Sequence, residues 1–174
     1  MDDVTPNRLK QIRLVLLDVD GVLTAGEIIY SDSGEQTKVF NVRDGLGIRM
    51  LKEAGIQVGI ITGRRGKALQ HRCDNLGIEL IFDGIRDKDK AIDDIHAETG
   101  IPIDAMAYVG DDLPDLPAMK KVGLAVAVGD AVPLVRENAH MVTNAWGGKG
   151  AVREVSETIL KAQGHWNDLI ERLF

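Results

Sequence analysis

The chain has 174 residues, of which 44% are hydrophobic and 28% are charged, a composition typical of one folded globular domain over residues 1–174. Its formal net charge of −6 argues against a nucleic-acid-binding protein, because such proteins need a clustered cationic surface. The polar segment Met1–Arg13 and the shortness of every apolar run predict a cytoplasmic protein with no signal peptide and no membrane span.

Short apolar runs alternate with longer segments of helical periodicity along the chain. This alternation predicts a Rossmann-like α/β fold, a mostly parallel sheet with helices on both faces. The predicted strands are Arg13–Asp18, Gln57–Ile61, Glu79–Phe82, Ala105–Val109 and Leu124–Val128. The predicted helices are one that contains Leu46, Met50, Leu51 and Ala54, followed by Gly66–Leu76, Lys88–Thr99, Leu113–Lys121, Ala131–Glu137 and Ala151–Ala162.

The segment 24–40 interrupts this alternation directly after the first predicted strand. Two strand-like runs, Glu27–Tyr30 and Gln36–Phe40, flank Ser31–Glu35, which contains an Asp-Ser-Gly turn signal. We therefore predict an inserted β-hairpin. At the other end of the chain, the apolar tail 165–174 needs a surface to pack on, either in its own chain or in a neighbouring one.

Two aspartates, Asp18 and Asp20, end the first predicted strand. Because side chains alternate along a strand, both carboxylates face the same side. One can act as a nucleophile and the other as a general acid and base, and Gly21 permits a tight exit of the chain. A turn with two solvated acids is the alternative, although neighbouring carboxylates repel each other unless a cation lies close.

The second predicted strand ends in Thr62, Gly63 and Arg64. The Thr62 hydroxyl and the Gly63 amide can donate hydrogen bonds to phosphoryl oxygens, and the N-terminus of a predicted helix follows. These residues are therefore candidates for substrate binding. A simple helix cap is the alternative.

Lys88 opens the helix that follows the third predicted strand. A cation at a helix N-terminus is unfavourable unless an anion lies nearby, and phosphate or a carboxylate would serve. Lys88 is therefore a candidate catalytic residue, with a solvated lysine as the alternative.

Acidic residues again follow an apolar strand at Asp111, Asp112 and Asp115. Mg²⁺ prefers hard oxygen ligands and commonly binds one or two carboxylates together with substrate phosphate. Asp18 and Asp111 are therefore candidate magnesium ligands. Asp115, one helical turn after Asp111, is a candidate for orienting Lys88 by a charge-assisted hydrogen bond, and Asp112 joins it as an orienting residue.

Taken in order, these motifs resemble the haloacid dehalogenase superfamily of phosphatases. The matching segments are Asp18-Val-Asp20-Gly-Val-Leu-Thr24, Thr62, Lys88 and Gly110-Asp-Asp-Leu-Pro-Asp115. The resemblance implies a Mg²⁺-dependent phosphomonoester hydrolase in which Asp18 is phosphorylated and Asp20 is the acid and base. It also implies that Asp18, the backbone carbonyl of Asp20 and Asp111 hold the metal.

Over roughly residues 14–164 the chain is similar to the capless subgroup of this superfamily, whose members act on sugar acid phosphates. The segments Phe40-Asn-Val-Arg-Asp-Gly-Leu-Gly-Ile48 and Gly147-Gly-Lys-Gly-Ala-Val-Arg-Glu154 carry this similarity. It implies a homotetramer whose inserted hairpins pair with one another. It also implies that neighbouring chains help to close each active site.

The same similarity implies hydrolysis of 3-deoxy-D-manno-octulosonate 8-phosphate for lipopolysaccharide assembly, because subgroup members acting on a nine-carbon acid tend to carry Glu where this chain has Arg64. Arg43 and Arg64 are candidate contacts to the sugar carboxylate, and Lys149 lies in a candidate closing loop. For Arg43, a salt bridge to a nearby acid is the alternative. A related substrate such as 2-keto-3-deoxynonulosonate 9-phosphate and a non-catalytic oligomerisation module remain open as alternative functions.

Overall fold

The computed structural model describes residues 4–172, and a six-stranded parallel sheet forms its centre. The strands are β1 (Leu14–Leu17), β2 (Ile29–Tyr30), β3 (Gln36–Thr37), β4 (Gln57–Thr62), β5 (Leu80–Asp83), β6 (Met106–Gly110), β7 (Leu124–Ala127) and β8 (Met141–Val142). The order across the large sheet is β5-β4-β1-β6-β7-β8. Every residue of β1 is fully buried, as expected for a central parallel strand that is covered on both faces.

Helices cover both faces of this sheet. They are α1 (Val4–Gln11), α2 (Val42–Glu53), α3 (Lys67–Leu76), α4 (Lys88–Thr99), α5 (Leu116–Lys121), α6 (Pro133–Glu137), α7 (Ala151–Ala162) and α8 (Trp166–Glu171). The crossovers through α2 and α3 run towards one edge of the sheet, and those through α4 and α5 run towards the other. Since such crossovers are right-handed, the two pairs lie on opposite faces. The predicted fold class is confirmed.

The five predicted strands are all present, and their ends differ from the prediction by one residue at most. Strand β8 was not predicted, because a two-residue strand carries too little periodic signal. Helix α1 was also not predicted, since most of its residues are polar. The predicted helix Leu113–Lys121 is divided into a 3₁₀ segment, Leu113–Asp115, and α5. None of the helices in the described part of the chain has the length and apolar character that crossing a bilayer requires.

The inserted hairpin is present and is shorter than predicted. Strands β2 and β3 pair antiparallel over two residues each, with Ile29 opposite Thr37 and Tyr30 opposite Gln36. An isolated two-stranded ribbon without a packed face is only marginally stable, which limits the length of regular pairing. Several apolar side chains of the segment are exposed, and Tyr30 is the most exposed residue of β2, at 62%.

The C-terminal tail packs on its own chain over the residues that the structure describes. Its helix α8 lies against α7, and Leu169 of α8 is buried. The Trp166 ring lies 4.6 Å from Nζ of Lys161, measured to the ring centroid, an arrangement that favours cation–π attraction. The last two residues of the predicted tail, 173–174, lie outside the described residues.

Candidate active site

The carboxyl ends of β1, β4 and β6 meet at one edge of the sheet, where the strand order reverses around β1. Ligands of open α/β sheets bind at such a reversal. The register pairs Leu17, the last residue of β1, with Ile60 and Val109, so β4 continues two residues and β6 one residue beyond the end of β1. A cleft of about 460 Å³ opens there. Its lining includes the predicted residues Asp18, Asp20, Thr62, Gly63, Arg64, Lys88, Asp111, Asp112 and Asp115.

Asp18, the candidate nucleophile, directly follows β1 and is buried. Its Oδ1 accepts a hydrogen bond of 2.7 Å from Nζ of Lys88, which is also buried. Burial raises the pKa of Asp18 to about 6, while the ammonium of Lys88 acts in the opposite direction. Burial also disfavours the charge on Lys88, but Asp18 and Asp115 outweigh it and raise the pKa of Lys88. At neutral pH, Asp18 therefore presents a carboxylate that can attack phosphorus.

Asp115 is fully buried and has a hydrogen-bond donor at every acceptor position. Its Oδ1 accepts from Nζ of Lys88 at 2.6 Å and from the hydroxyl of Tyr108 at 2.7 Å. Its Oδ2 accepts from the backbone N–H groups of Asp111 and Asp112 at 2.9 and 3.2 Å. Burial and the charge of Asp115 raise the pKa of Tyr108 well above its ordinary value, so the hydroxyl remains a donor. These contacts are what the predicted orienting role requires.

Asp112 has different surroundings from Asp115. It is exposed, and its Oδ1 accepts a hydrogen bond of 2.8 Å from the backbone N–H of Leu113. This bond caps the 3₁₀ segment Leu113–Asp115 at its start. Asp112 therefore caps the segment that carries Asp115, and its predicted orienting role towards Lys88 would act through that segment.

Asp111 follows β6, and its carboxylate lies in a crowded group of acids. One oxygen each from Asp18, Asp111 and Asp115 lie within 4.8 Å of one another. Burial raises the pKa of Asp111 to about 8, and the charges of Asp115 and Asp18 add to the shift. Because donors already occupy the acceptor positions of Asp115, Asp18 and Asp111 are the carboxylates with room for a cation. Two hard oxygen ligands of this kind suit Mg²⁺.

The turn that carries Asp20 is held by its own backbone. The N–H groups of residues 22–24 all donate to the carbonyl of Val19, at 3.0 to 3.3 Å. Gly21 has a φ of 100°, and a Cβ at this position would lie 2.0 Å from Oδ2 of Asp111. Glycine is therefore needed both for the backbone conformation and for the close approach of Asp111.

The side chain of Asp20, the candidate acid and base, lies between two cations. Nζ of Lys38 contacts Oδ1 of Asp20, and Nε of Arg64 lies 3.7 Å from Oδ2. The side chain of Lys38 is only 3% exposed, whereas that of Arg64 is 49% exposed. Arg64 therefore lies at the rim of the cleft, where it can turn towards a ligand.

Thr62 and Gly63 form the part of the cleft that was predicted to bind phosphate. Thr62 is buried at the end of β4, and its Oγ1 accepts a hydrogen bond of 3.4 Å from the backbone N–H of Arg64. This contact uses Oγ1 as an acceptor, so the hydroxyl hydrogen can be donated to a phosphoryl oxygen. Helix α3 begins at Lys67, four residues after Gly63, so its N-terminus does not directly adjoin Thr62.

Comparison with known proteins assigns the chain to a family. Residues 79–153 match the family model of haloacid dehalogenase-like hydrolases. The 3-deoxy-D-manno-octulosonate 8-phosphate phosphatase of Salmonella typhi is 50% identical over 157 residues, which cover 90% of this chain and 84% of that protein. The chain belongs to the haloacid dehalogenase-like hydrolases. The resemblance predicted from the four motifs is thereby confirmed.

Solved structures agree with the assignment of this chain to the haloacid dehalogenase-like hydrolases. The crystal structure of the 3-deoxy-D-manno-octulosonate 8-phosphate phosphatase from Yersinia pestis has a TM-score of 0.94 and 47% identity, covering 96% of this chain and 90% of that chain. The phosphatase of the same name from Moraxella catarrhalis, solved with magnesium, phosphate and a KDO molecule, has a TM-score of 0.96 and 41% identity. It covers 100% of this chain and 99% of its own.

Two predicted substrate residues of the hydrolase do not line the cleft. Arg43 is exposed in the first turn of α2. Lys149 lines a separate cavity of about 290 Å³ together with Thr24 and Val39, beside the hairpin. Contacts of these two side chains with the substrate remain predictions. Because neither side chain lines the cleft, such contacts would need groups that lie outside it.

Three residues of the hydrolase's site were not identified from the sequence. Lys38 contacts Asp20, Arg86 lines the cleft, and Tyr108 donates to Asp115. Tyr108 had a usable signal, because a hydroxyl inside an apolar strand must find a buried partner. Lys38 and Arg86 had none, since a single cation in a polar segment is usually solvated.

Proposed function

We propose that the hydrolase cleaves 3-deoxy-D-manno-octulosonate 8-phosphate to the free sugar acid and inorganic phosphate. The observation that carries the proposal is the similarity to the Moraxella catarrhalis phosphatase over 99% of that chain. The buried pair of Asp18 and Lys88 supports the same reaction class, because it keeps a charged nucleophile beside a cation. Under this proposal the enzyme works in the cytoplasm and supplies the sugar acid for lipopolysaccharide assembly.

The reaction takes place in two displacements at phosphorus. An oxygen of Asp18 attacks, the bond from phosphorus to the sugar oxygen breaks, and that oxygen takes a proton from the carboxyl group of Asp20. The products are the sugar alcohol and an aspartyl phosphate. Asp20, now ionised, takes a proton from water as the water oxygen attacks phosphorus. The bond to Asp18 breaks, inorganic phosphate leaves, and Asp20 is protonated again.

Positive charge and hydrogen-bond donors surround the phosphoryl group in this proposal. Lys88, the Thr62 hydroxyl and the Gly63 N–H would donate to its oxygens. Mg²⁺, held by Asp18, Asp111 and the backbone carbonyl of Asp20, would neutralise the charge that develops on them. The crowding that raises the pKa of Asp111 supports a cation at this position.

We further propose that the hydrolase forms a homotetramer through its hairpin. Apolar side chains of this segment, including those of Ile29, Tyr30 and Val39, are exposed in the isolated chain. Clustered exposed apolar groups commonly mark a protein interface. Assembly would also bring a neighbouring chain beside the cavity that Lys149 lines.

A phosphate-release assay on a panel of monoesters tests the proposed substrate. The panel contains 3-deoxy-D-manno-octulosonate 8-phosphate, 2-keto-3-deoxynonulosonate 9-phosphate and a hexose 6-phosphate. We expect kcat/KM to be highest for the octulosonate by about tenfold or more, because discrimination depends on contacts made in the transition state. Removing Mg²⁺ with a chelator should abolish release, and adding Mg²⁺ back should restore it.

Each alternative has its own outcome in this assay. Faster hydrolysis of the nine-carbon acid would replace the proposed substrate while leaving the chemistry intact. Absence of release from every monoester, by protein that is folded and loaded with Mg²⁺, would favour the non-catalytic module.

A further inference from the structure

Lys38 is a buried cation outside the group of residues predicted to catalyse the reaction. It lies directly after β3, at the base of the hairpin, and its side chain is 3% exposed. Its Nζ contacts Oδ1 of Asp20, and the side chain of Asp20 is 19% exposed. The pair therefore connects the hairpin to the turn that follows β1.

A buried lysine is unfavourable unless its charge is compensated. Among the described residues, Asp20 is the ion-pair partner of Lys38, whereas Lys88 is shared between Asp18 and Asp115. The two buried ammonium groups thus serve different carboxylates. Lys88 pairs with the candidate nucleophile, and Lys38 pairs with the candidate acid and base.

The two oxygens of Asp20 have unequal surroundings. Oδ1 is in contact with Lys38, while Oδ2 lies 3.7 Å from Arg64, beyond hydrogen-bond distance. The contact of Oδ1 with Lys38 therefore restricts rotation of the carboxyl group. Oδ2 is left available to a ligand in the cleft. Negative charge develops on this carboxyl group when it gives up its proton, and a fixed cation nearby offsets that charge.

We propose that Lys38 is a positioning residue that holds Oδ1 of Asp20, so that Oδ2 exchanges the proton with the leaving oxygen of the substrate. This inference rests on the proposed phosphatase function. Lys38 neither gives nor takes a proton in it. The proton passes from Asp20 to the sugar oxygen as the bond from phosphorus to that oxygen breaks.

The dependence of the rate on the leaving group tests this role. A sugar alkoxide needs a proton in order to leave, whereas p-nitrophenolate is a stable anion that leaves without one. Since kcat/KM for both substrates ends with departure of the leaving group, their ratio reports the proton transfer. Both substrates are measured on one protein preparation, so partial misfolding cancels in the ratio.

We expect Lys38→Met to lower kcat/KM for the octulosonate phosphate by about tenfold or more, which is part of the 10²–10⁴-fold that general acid catalysis contributes. The value for p-nitrophenyl phosphate should change by less than about threefold. Lys38→Arg should recover part of the ratio, because it keeps a cation at Oδ1. In an Asp20→Asn background, adding Lys38→Met should lower the octulosonate value no further.

Lys121→Met is the matched control. Lys121, at the end of α5, is likewise an ion-paired lysine, with Asp89 and Asp93 as its partners, but it does not line the cleft. Its substitution should leave the ratio unchanged. An equal loss on both substrates with Lys38→Met, or no loss on either, would overturn the positioning role. The proposed function itself fails separately, if wild-type protein hydrolyses another alkyl phosphate faster than the octulosonate.

Discussion

At the scale of single residues, Asp115 holds several groups of the candidate site in place through hydrogen bonds. A buried carboxylate is unfavourable unless donors replace the water that it loses. Asp115 has four such donors, namely Nζ of Lys88, the hydroxyl of Tyr108 and the backbone N–H groups of Asp111 and Asp112. Through them it binds Nζ of Lys88, which also donates to Asp18, and holds the backbone of Asp111. The position of Lys88 beside the candidate nucleophile therefore depends on Asp115 as well as on Asp18.

Replacing Tyr108 by Phe tests this role. The change removes one donor to a buried, charged acceptor, and hydrogen bonds to charged groups contribute about 1.5–3 kcal/mol. We expect Tyr108→Phe to lower the free energy of unfolding by about that amount, measured by urea denaturation. Tyr30→Phe is the control, since Tyr30 is exposed. Equal stability of the two variants would show that the hydrogen bond from the Tyr108 hydroxyl to Asp115 does not stabilise the fold.

At the scale of elements, the loop before α7 and the hairpin both contact the turn that carries Asp20. The loop before α7 packs on the turn that carries Asp20, and a Cβ at Gly147 would lie 1.6 Å from the carbonyl oxygen of Gly21. Buried Asp44 accepts hydrogen bonds from the N–H groups of Gly150 and Arg153, which fixes the start of α7. Lys38 connects the hairpin to Asp20 in the same turn.

The hairpin itself carries a prediction about assembly. Replacing both Ile29 and Tyr30 by Glu places charges in the proposed interface, where burying them is unfavourable. We expect this variant to sediment as monomer or dimer, while the unmodified hydrolase sediments as tetramer, in analytical ultracentrifugation at the same concentration. Leu134→Glu is the control, because Leu134 is exposed on α6, away from the hairpin. Tetramers of the double variant would exclude the hairpin as the interface.

At the scale of the whole molecule, the strand order explains why distant residues form one site. The chain leaves β1 towards one edge of the sheet and returns to build the other half from β6 onwards. The reversal leaves space at the carboxyl ends of β1, β4 and β6, where Asp18, Thr62 and Asp111 lie. Lys88 reaches the same space from the start of α4.

The positions of these residues could be predicted because buried parallel strands are continuous apolar runs, and the first polar residue after each run marks the carboxyl edge. The contact of Lys38 with Asp20 could not, since it depends on the path of the hairpin and no periodic pattern encodes that path. Strand β8 was not predicted for a related reason. Its two residues belong to the sheet through their pairing with β7, which no local pattern encodes. The roles of all these site residues stay predictions, and Arg43 and Lys149 do not line the cleft.

In the proposed reaction, the phosphoryl group passes to Asp18. Asp20→Asn protein lacks the base for the second displacement, so an aspartyl phosphate should accumulate when it reacts with p-nitrophenyl phosphate and Mg²⁺. Acid quenching, reduction with borohydride and mass spectrometry of the digested protein would locate this group, since an acyl phosphate is reduced to an alcohol. We predict that Asp18 alone is reduced, to homoserine. Reduction at another carboxylate, or full phosphate release by Asp18→Asn, would contradict the account.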